Sequence, residues 1–353
     1  MFAVDNVNER AAFLRQADAC RRLGSPFTSL IMTLLAELLD RTTATGRRIL
    51  DWQGDTGPAG ASVPLRLAGA LHALVRAGRS PDLAALYPPN ASPEPSALMR
   101  ELSRTLAAHD GWIATFLNSP PQTNEIGRSS LLYAGLITIS HLTSLPLSLF
   151  EIGSSAGLNL APERFRYTFG DYEGGDKASP VHLAPTWKGP APVGAPPRIV
   201  ARRGCDQAPL DHRSAEASER LMAYIWPDQP ERLQRTWSAI MMMADDPPQI
   251  DRADAADWVE CHMAANASPG TARVLMHSIT MNYLPSAAQQ RIRAAVIQAG
   301  ESARLDTPLA WLSFEQERPH AALRLRLWPH GTDCLLATAD PHGWSIDWKW
   351  GIP

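Results

Sequence analysis

Leu147-Ser-Leu-Phe-Glu151-Ile-Gly153-Ser-Ser155-Ala-Gly157-Leu-Asn-Leu160 decides how this 353-residue chain is read. Its first half is a short apolar run, which suits a strand buried in a parallel sheet. An acid closes the run, and small residues then fill every second position up to Gly157. Residues without a bulky Cβ favour a tight turn and let a ligand approach the backbone closely. A helix is expected to start directly after the turn. Ligands of open α/β sheets bind beyond the carboxyl ends of the strands, where the strand order reverses. Glu151 to Gly157 is therefore the first candidate site.

Downstream of this segment, apolar runs alternate with helical stretches. PRIVARRGCD is followed by a helix through Glu216–Met243, ARVLMHSIT by a helix through Ser286–Gln298, and then comes LAWLSFE. Such alternation is the mark of β-α-β crossovers and a doubly wound sheet. ALRLRLWP and CLLATAD flank His330-Gly331-Thr332-Asp333 and read as an antiparallel hairpin. The segment 170–197 holds eleven Gly and Pro in 28 residues. It reads as an inserted loop with a small hairpin, able to cover a ligand site.

Upstream, residues 1–145 read as helices. Ala11 to Leu39 places apolar residues at three- and four-residue spacing, broken near Gly24-Ser25-Pro26; Val63–Ala77, Ala97–Leu117 and Ser129–Leu145 continue the pattern. The expected fold is thus α/β: a helical amino-terminal region (1–145), then a Rossmann-like, mostly parallel doubly wound sheet with a carboxyl-terminal antiparallel hairpin (146–353).

Composition narrows the function classes. A net charge of −3 gives no electrostatic reason to expect nucleic acid or an anionic membrane as partner. Cys20, Cys205, Cys261 and Cys334 lie far apart with no C-x-x-C pair, so neither a disulfide framework nor a zinc site is expected. No run of about 18 apolar residues exists to span a bilayer, and the amino terminus lacks the apolar core of a signal peptide. A cytoplasmic protein acting on a small molecule or another protein is the expectation; its oligomeric state is left open.

The acid followed by Gly-x-Ser-x-Gly resembles the first motif of class I methyltransferases, with Glu151, Gly153 and Gly157 matching and Ser155 in place of the middle glycine. The resemblance implies S-adenosylmethionine as cofactor, its methionine part cradled by Gly153, Ser154, Ser155, Gly157 and Asn159. On the same resemblance Asp206, in Arg203-Gly-Cys-Asp206, pairs with ribose hydroxyls, and Asp254-Ala255 reads the adenine amino group. Asn124 and Arg128, just upstream of the sheet, complete the cofactor set; a guanidinium is well shaped to clamp a carboxylate. His277, Asn282, Tyr283, Glu315 and His342 are the substrate-side candidates, with His277 also near the cofactor. Methyl transfer is a displacement at carbon in which alignment supplies most of the catalysis, and a base is needed only where the acceptor must lose a proton. The whole chain also resembles a bacterial family known as domain-of-unknown-function family 2332, through segments such as EIGSSAGLNL (151–160), RRGCDQAPLD (202–211), HSITMNYLP (277–285) and DPHGW (340–344).

Two other functions compete. Gly153-Ser-Ser155-Ala-Gly157 satisfies G-x-S-x-G, the nucleophile elbow of serine hydrolases, with Ser155 as nucleophile and His342 as base. The helical character of the first 145 residues opposes this, because strands precede the elbow in such enzymes. A non-catalytic protein that keeps a cofactor-type fold for binding is the other alternative.

Overall fold

A computed structural model describes residues 7–58, 60–211, 213–265, 267–317 and 319–351. Seven helices come first: α1 (Val7–Arg22), α2 (Pro26–Leu38), α3 (Ala44–Leu50), α4 (Val63–Arg76), α5 (Pro81–Ala84), α6 (Pro95–Ala108) and α7 (Asp110–Phe116). After α8 (Ser129–Thr143) the chain enters β1 (Leu147–Ile152), β2 (Arg166–Phe169), β3 (Tyr172–Gly175), β4 (His182–Leu183), β5 (Thr186–Lys188) and β6 (Ile199–Asp206). Helices α9 (Ala215–Ala223) and α10 (Pro230–Ala244) follow, then β7 (Gln249–Arg252), α11 (Ala255–Ala264), β8 (Ala272–Ser278) and α12 (Ser286–Glu301). Four strands end the chain: β9 (Leu309–Glu317), β10 (His320–Trp328), β11 (Thr332–Ala339) and β12 (Ser345–Trp348).

Among the described residues, contacts sort the chain into two compact units. One holds the chain up to Thr123 together with Ser214–Gln234; the other holds Asn124–Arg213 and everything from Arg235 onward. The first is all helical. Its core is built from the apolar faces of α2, α4 and α6, with Ile31, Leu67, Leu71 and Leu98 essentially buried, and Tyr224 from just past α9 joins them. Where a single helix is expected over Glu216–Met243, the chain makes two, α9 and α10. Pro227 sits in the break, and proline cannot donate a helical hydrogen bond.

The second unit carries a nine-stranded sheet in the order β7-β6-β1-β8-β9-β10-β11-β12-β5. The first five strands of that order are mutually parallel. From β1 the chain moves outward to β6 and β7, then returns to β8 on the other side of β1, so the order reverses at the β1/β8 boundary. Every residue of β8 is buried, as a central strand covered on both faces requires. The antiparallel part is larger than one hairpin: β9, β10, β11 and β12 pair in succession. α8 packs on β9 and β10, inside this unit.

Two edge strands escape the sequence pattern. β7 contains one apolar residue, Ile250, and is held by parallel pairing with β6. β5 comes from the Gly/Pro-rich insert and pairs with β12, six strands away from β1; that end of the insert does not cover the turn after β1. The rest of the insert contributes to a small sheet, β3-β2-β4. The helix expected after Gly157 is also absent. A three-residue 3-10 turn, Leu158–Leu160, takes its place, because Pro162 follows closely and the Leu158 N–H is bound by the Asn124 side chain.

Candidate functional site

The carboxyl ends of β1, β6 and β8 bring together most of the candidate residues. Glu151, the penultimate residue of β1, is 2% exposed, and its Oε2 has no hydrogen-bond partner. Burial pushes its carboxyl up to about 8, helped by the nearby Asp206 charge and opposed by Arg128. The chain then turns with three alternate residues in the left-handed region: Gly153 at φ +68°, Ser155 at +53° and Gly157 at +74°. The serine therefore occupies a conformation that favours glycine, at roughly 1–2 kcal/mol. Gly153 is exposed while the residues on either side of it, Glu151–Ile152 and Ser154–Pro162, are buried. Backbone is open to a ligand at this one place.

Hydrogen bonds explain why the turn keeps this shape. Ser154 N–H donates to the Cys205 carbonyl (3.0 Å) and its Oγ to the Glu151 carbonyl (2.9 Å). Asp206 Oδ2 accepts from Ser155 N–H (3.0 Å), and Oδ1 accepts from Ala208 N–H (2.8 Å). Asn124 Oδ1 accepts from Leu158 N–H at 2.8 Å, and Ser129 Oγ donates to Asn159 Oδ1 at 2.6 Å. Asn124 and Asn159 thus hold the turn from behind, using their polar groups on protein partners. A Cβ on Gly157 would lie 2.6 Å from Pro248 Cγ, so this glycine serves close packing against the β7 segment. A Cβ on Gly153 would lie 2.5 Å from the Thr280 side chain. Thr280, which the sequence pattern did not single out, is the wall of the exposed opening.

The Thr280 segment is itself built with care. Ile279 is at φ +50°, a conformation rare for a β-branched residue. Glu315 Oε1 holds the bend by accepting from Thr280 N–H (3.0 Å), Met281 N–H (3.1 Å) and His277 Nδ1 (2.6 Å). Trp311 Nε1–H donates to His277 Nε2 at 3.0 Å, which makes Nε2 an acceptor and puts the imidazole proton on Nδ1. Both ring nitrogens of His277 are occupied and the residue is 1% exposed, so it supports the bend and offers no nitrogen to a substrate. Burial works to raise the Glu315 carboxyl, but the His277 contact and the two N–H donors outweigh it and hold the group below its usual value.

Arg128 lies in a 3-10 turn, Ile126–Arg128. Its Nε donates to the Pro341 carbonyl (2.9 Å) and its Nη1 to the Ser278 carbonyl (3.0 Å), joining the 340–344 loop to the end of β8. The loop that carries His342 packs on that turn, since a Cβ on Gly127 would lie 2.4 Å from the His342 carbonyl oxygen. Tyr283 stands 61% exposed after the Thr280 bend. Asp254 is the N-cap of α11, accepting from Ala256 and Asp257 N–H, and Ala255 is the helix's buried first residue. Both sit where β7 ends, beside Asp206 at the end of β6. Ser155 Oγ is buried without a hydrogen-bond partner; the backbone strain of an elbow is present, but no base is hydrogen-bonded to the hydroxyl.

A cleft of about 700 Å³ lies at the opposite, amino end of the sheet, lined by α11, α12 and Arg273. Among the described residues no three His, Cys, Asp or Glu are grouped to hold a metal ion, and no described helix is long and apolar enough to cross a membrane. One family model matches the sequence, over residues 10–348: an uncharacterized protein conserved in bacteria, DUF2332. No curated protein matches. No solved structure matches.

Proposed function

Because the chain belongs to the bacterial DUF2332 family over nearly its whole length, we propose one function for the whole fold: an S-adenosylmethionine-dependent methyltransferase with its cofactor at the carboxyl ends of β1, β6 and β7. The observation that carries this reading is the exposed Gly153 two residues after buried Glu151, at the point where the strand order reverses. Ligands of open α/β sheets bind at such points.

The residues fit such a ligand in two respects and limit it in one. Glu151 presents a buried carboxyl oxygen without a partner, and Gly153 presents accessible backbone. Gly157, in contrast, is already packed against Pro248 and Ile250, so the ligand lies over Gly153 and toward Asp206, away from the second glycine. Asp206, at the end of β6 beside the turn, is the carboxylate that would accept from ribose hydroxyls. Asp254, at the next strand end, lies toward the base. Thr280 closes the side nearest β8, and Tyr283 with Asn282 stands at the exposed rim where an acceptor enters. When bound, the cofactor supplies an electrophilic methyl group; the protein's part is alignment and the exclusion of water. His277 and Glu315 act by holding the Thr280 bend.

Calorimetric titration of the whole chain with S-adenosylmethionine and S-adenosylhomocysteine tests the reading. We expect 1:1 binding that weakens at least tenfold in Gly153→Val. A cationic ligand beside Glu151 favours its ionised form, so S-adenosylmethionine binding at pH 7 should release a proton, seen as a heat that differs between buffers of different ionisation enthalpy. No binding of either compound to folded protein ends the proposal.

A further inference from the structure

We propose that the cleft at the amino ends of β8 and β9 is a second binding site, for a small molecule with an anionic head and an apolar body, whose head pairs with Arg273. The cleft measures about 700 Å³, within the 300–1,000 Å³ typical of small-molecule sites. One wall is Ala295 and Ala299 of α12 with Ala303 just past its end, and the other is Met263 and Ala264 of α11. The small alanine side chains leave apolar room between the carboxyl-terminal parts of the two helices.

Arg273 supplies the recognition. It lines the cleft and is 9% exposed. Its Nη1 donates to the carbonyls of Met263 (3.4 Å) and Ala265 (3.1 Å) at the end of α11, a helix C-cap that accounts for one nitrogen. Nε is buried without a partner, and among the described residues Nη2 makes no hydrogen bond and no carboxylate lies within ion-pair distance of the guanidinium. A buried cation without a counter-charge is rare, and the group shaped to meet the open Nε–Nη2 edge is a carboxylate or a phosphate. The one acid on the lining, Glu260, has both oxygens engaged by Arg291, which leaves Arg273 uncontested. Arg304, also on the lining, is paired with Asp306 at 3.5 Å, so the head group is left to Arg273. The cleft lies at the far end of β8, whose seven residues span roughly 20 Å. A ligand there does not touch a group bound at Gly153, so the inference stands independently of the methyltransferase reading.

The test titrates the whole chain with hexanoate, hexyl phosphate and hexanol, before and after Arg273→Met and Ala299→Phe, with circular dichroism and the unfolding midpoint as checks of folding. At least one anionic probe should bind ten times more tightly than hexanol, and the better of the two identifies the head group as carboxylate or phosphate. That binding should fall at least tenfold in each folded variant. Ala299→Phe fills the cleft and leaves the Arg273 cap in place, so it decides the matter if Arg273→Met does not fold. Failure of both anions to bind, hexanol binding equally well, or binding unchanged by Ala299→Phe overturns the proposal.

Discussion

Glu151→Gln is expected to stabilise this protein, and increasingly so as the pH rises. Glu151 is essentially sealed from solvent, and burial lifts its carboxyl from 4.5 to about 8. The native state therefore holds a proton that the unfolded chain has already lost between these values. Stability falls with rising pH wherever the native state binds more protons than the unfolded one. The penalty begins near pH 4.5 and is complete only above pH 8. At about 1.4 kcal/mol per tenfold change in proton affinity, the full effect is roughly 4–5 kcal/mol and the part felt at pH 7 roughly 3 kcal/mol. Glutamine has the same shape as the protonated acid and nothing to ionise, so the substitution removes the penalty. Urea unfolding of both proteins at pH 5, 6, 7 and 8 measures it. The gap between variant and parent should widen by about 3–4 kcal/mol across that range, whatever its value at pH 5. A gap constant to within about 1 kcal/mol would refute the burial of an acid at this position, and with it the unpartnered buried carboxyl on which the proposed cofactor site draws.

Other substitutions probe the neighbouring parts. Gly157→Val puts a β-branched residue at φ +74° with its Cβ 2.6 Å from Pro248, and should cost at least about 3 kcal/mol in urea unfolding. Glu315→Ala strips the acceptor from His277 Nδ1 and from the Thr280 and Met281 N–H groups; a loss of about 3–5 kcal/mol is expected, and a loss under about 1 kcal/mol contradicts the network. Nitrogen-15 spectra of the imidazole should show His277 protonated at Nδ1, as its bond from Trp311 requires; an Nε2–H tautomer contradicts that bond. Ser155→Gly relieves a left-handed serine and should leave stability unchanged or raised by up to about 1 kcal/mol, measured the same way; a clear loss means that the buried hydroxyl does more than occupy the turn.

What the chain order of residues determined on its own is the set of strongly patterned elements. β1, β6, β8 and β9 stand out as apolar runs bounded by turn residues, the β10–β11 hairpin is marked by His330-Gly331, and the helix break at Gly24-Ser25-Pro26 falls where it is read. The Glu151–Gly157 turn was legible too, because tight turns select small residues locally. Burial periodicity is a property of neighbours in sequence, so it reports buried elements well and edge elements poorly. β7, with a single apolar residue, and β5, inside the Gly/Pro-rich insert, exist because a free strand edge beside them satisfies their backbone. Tertiary structure alone decided the rest. The reversal at β1/β8 is a matter of which edges remain unpaired, and the 3-10 turn after Gly157 depends on Asn124 reaching across 34 positions. His277 read as a candidate base until Glu315 and Trp311, 38 and 34 positions away, were seen to take both its nitrogens. Hydrogen-bond partners are set by distance through space, and a one-dimensional pattern does not carry that distance.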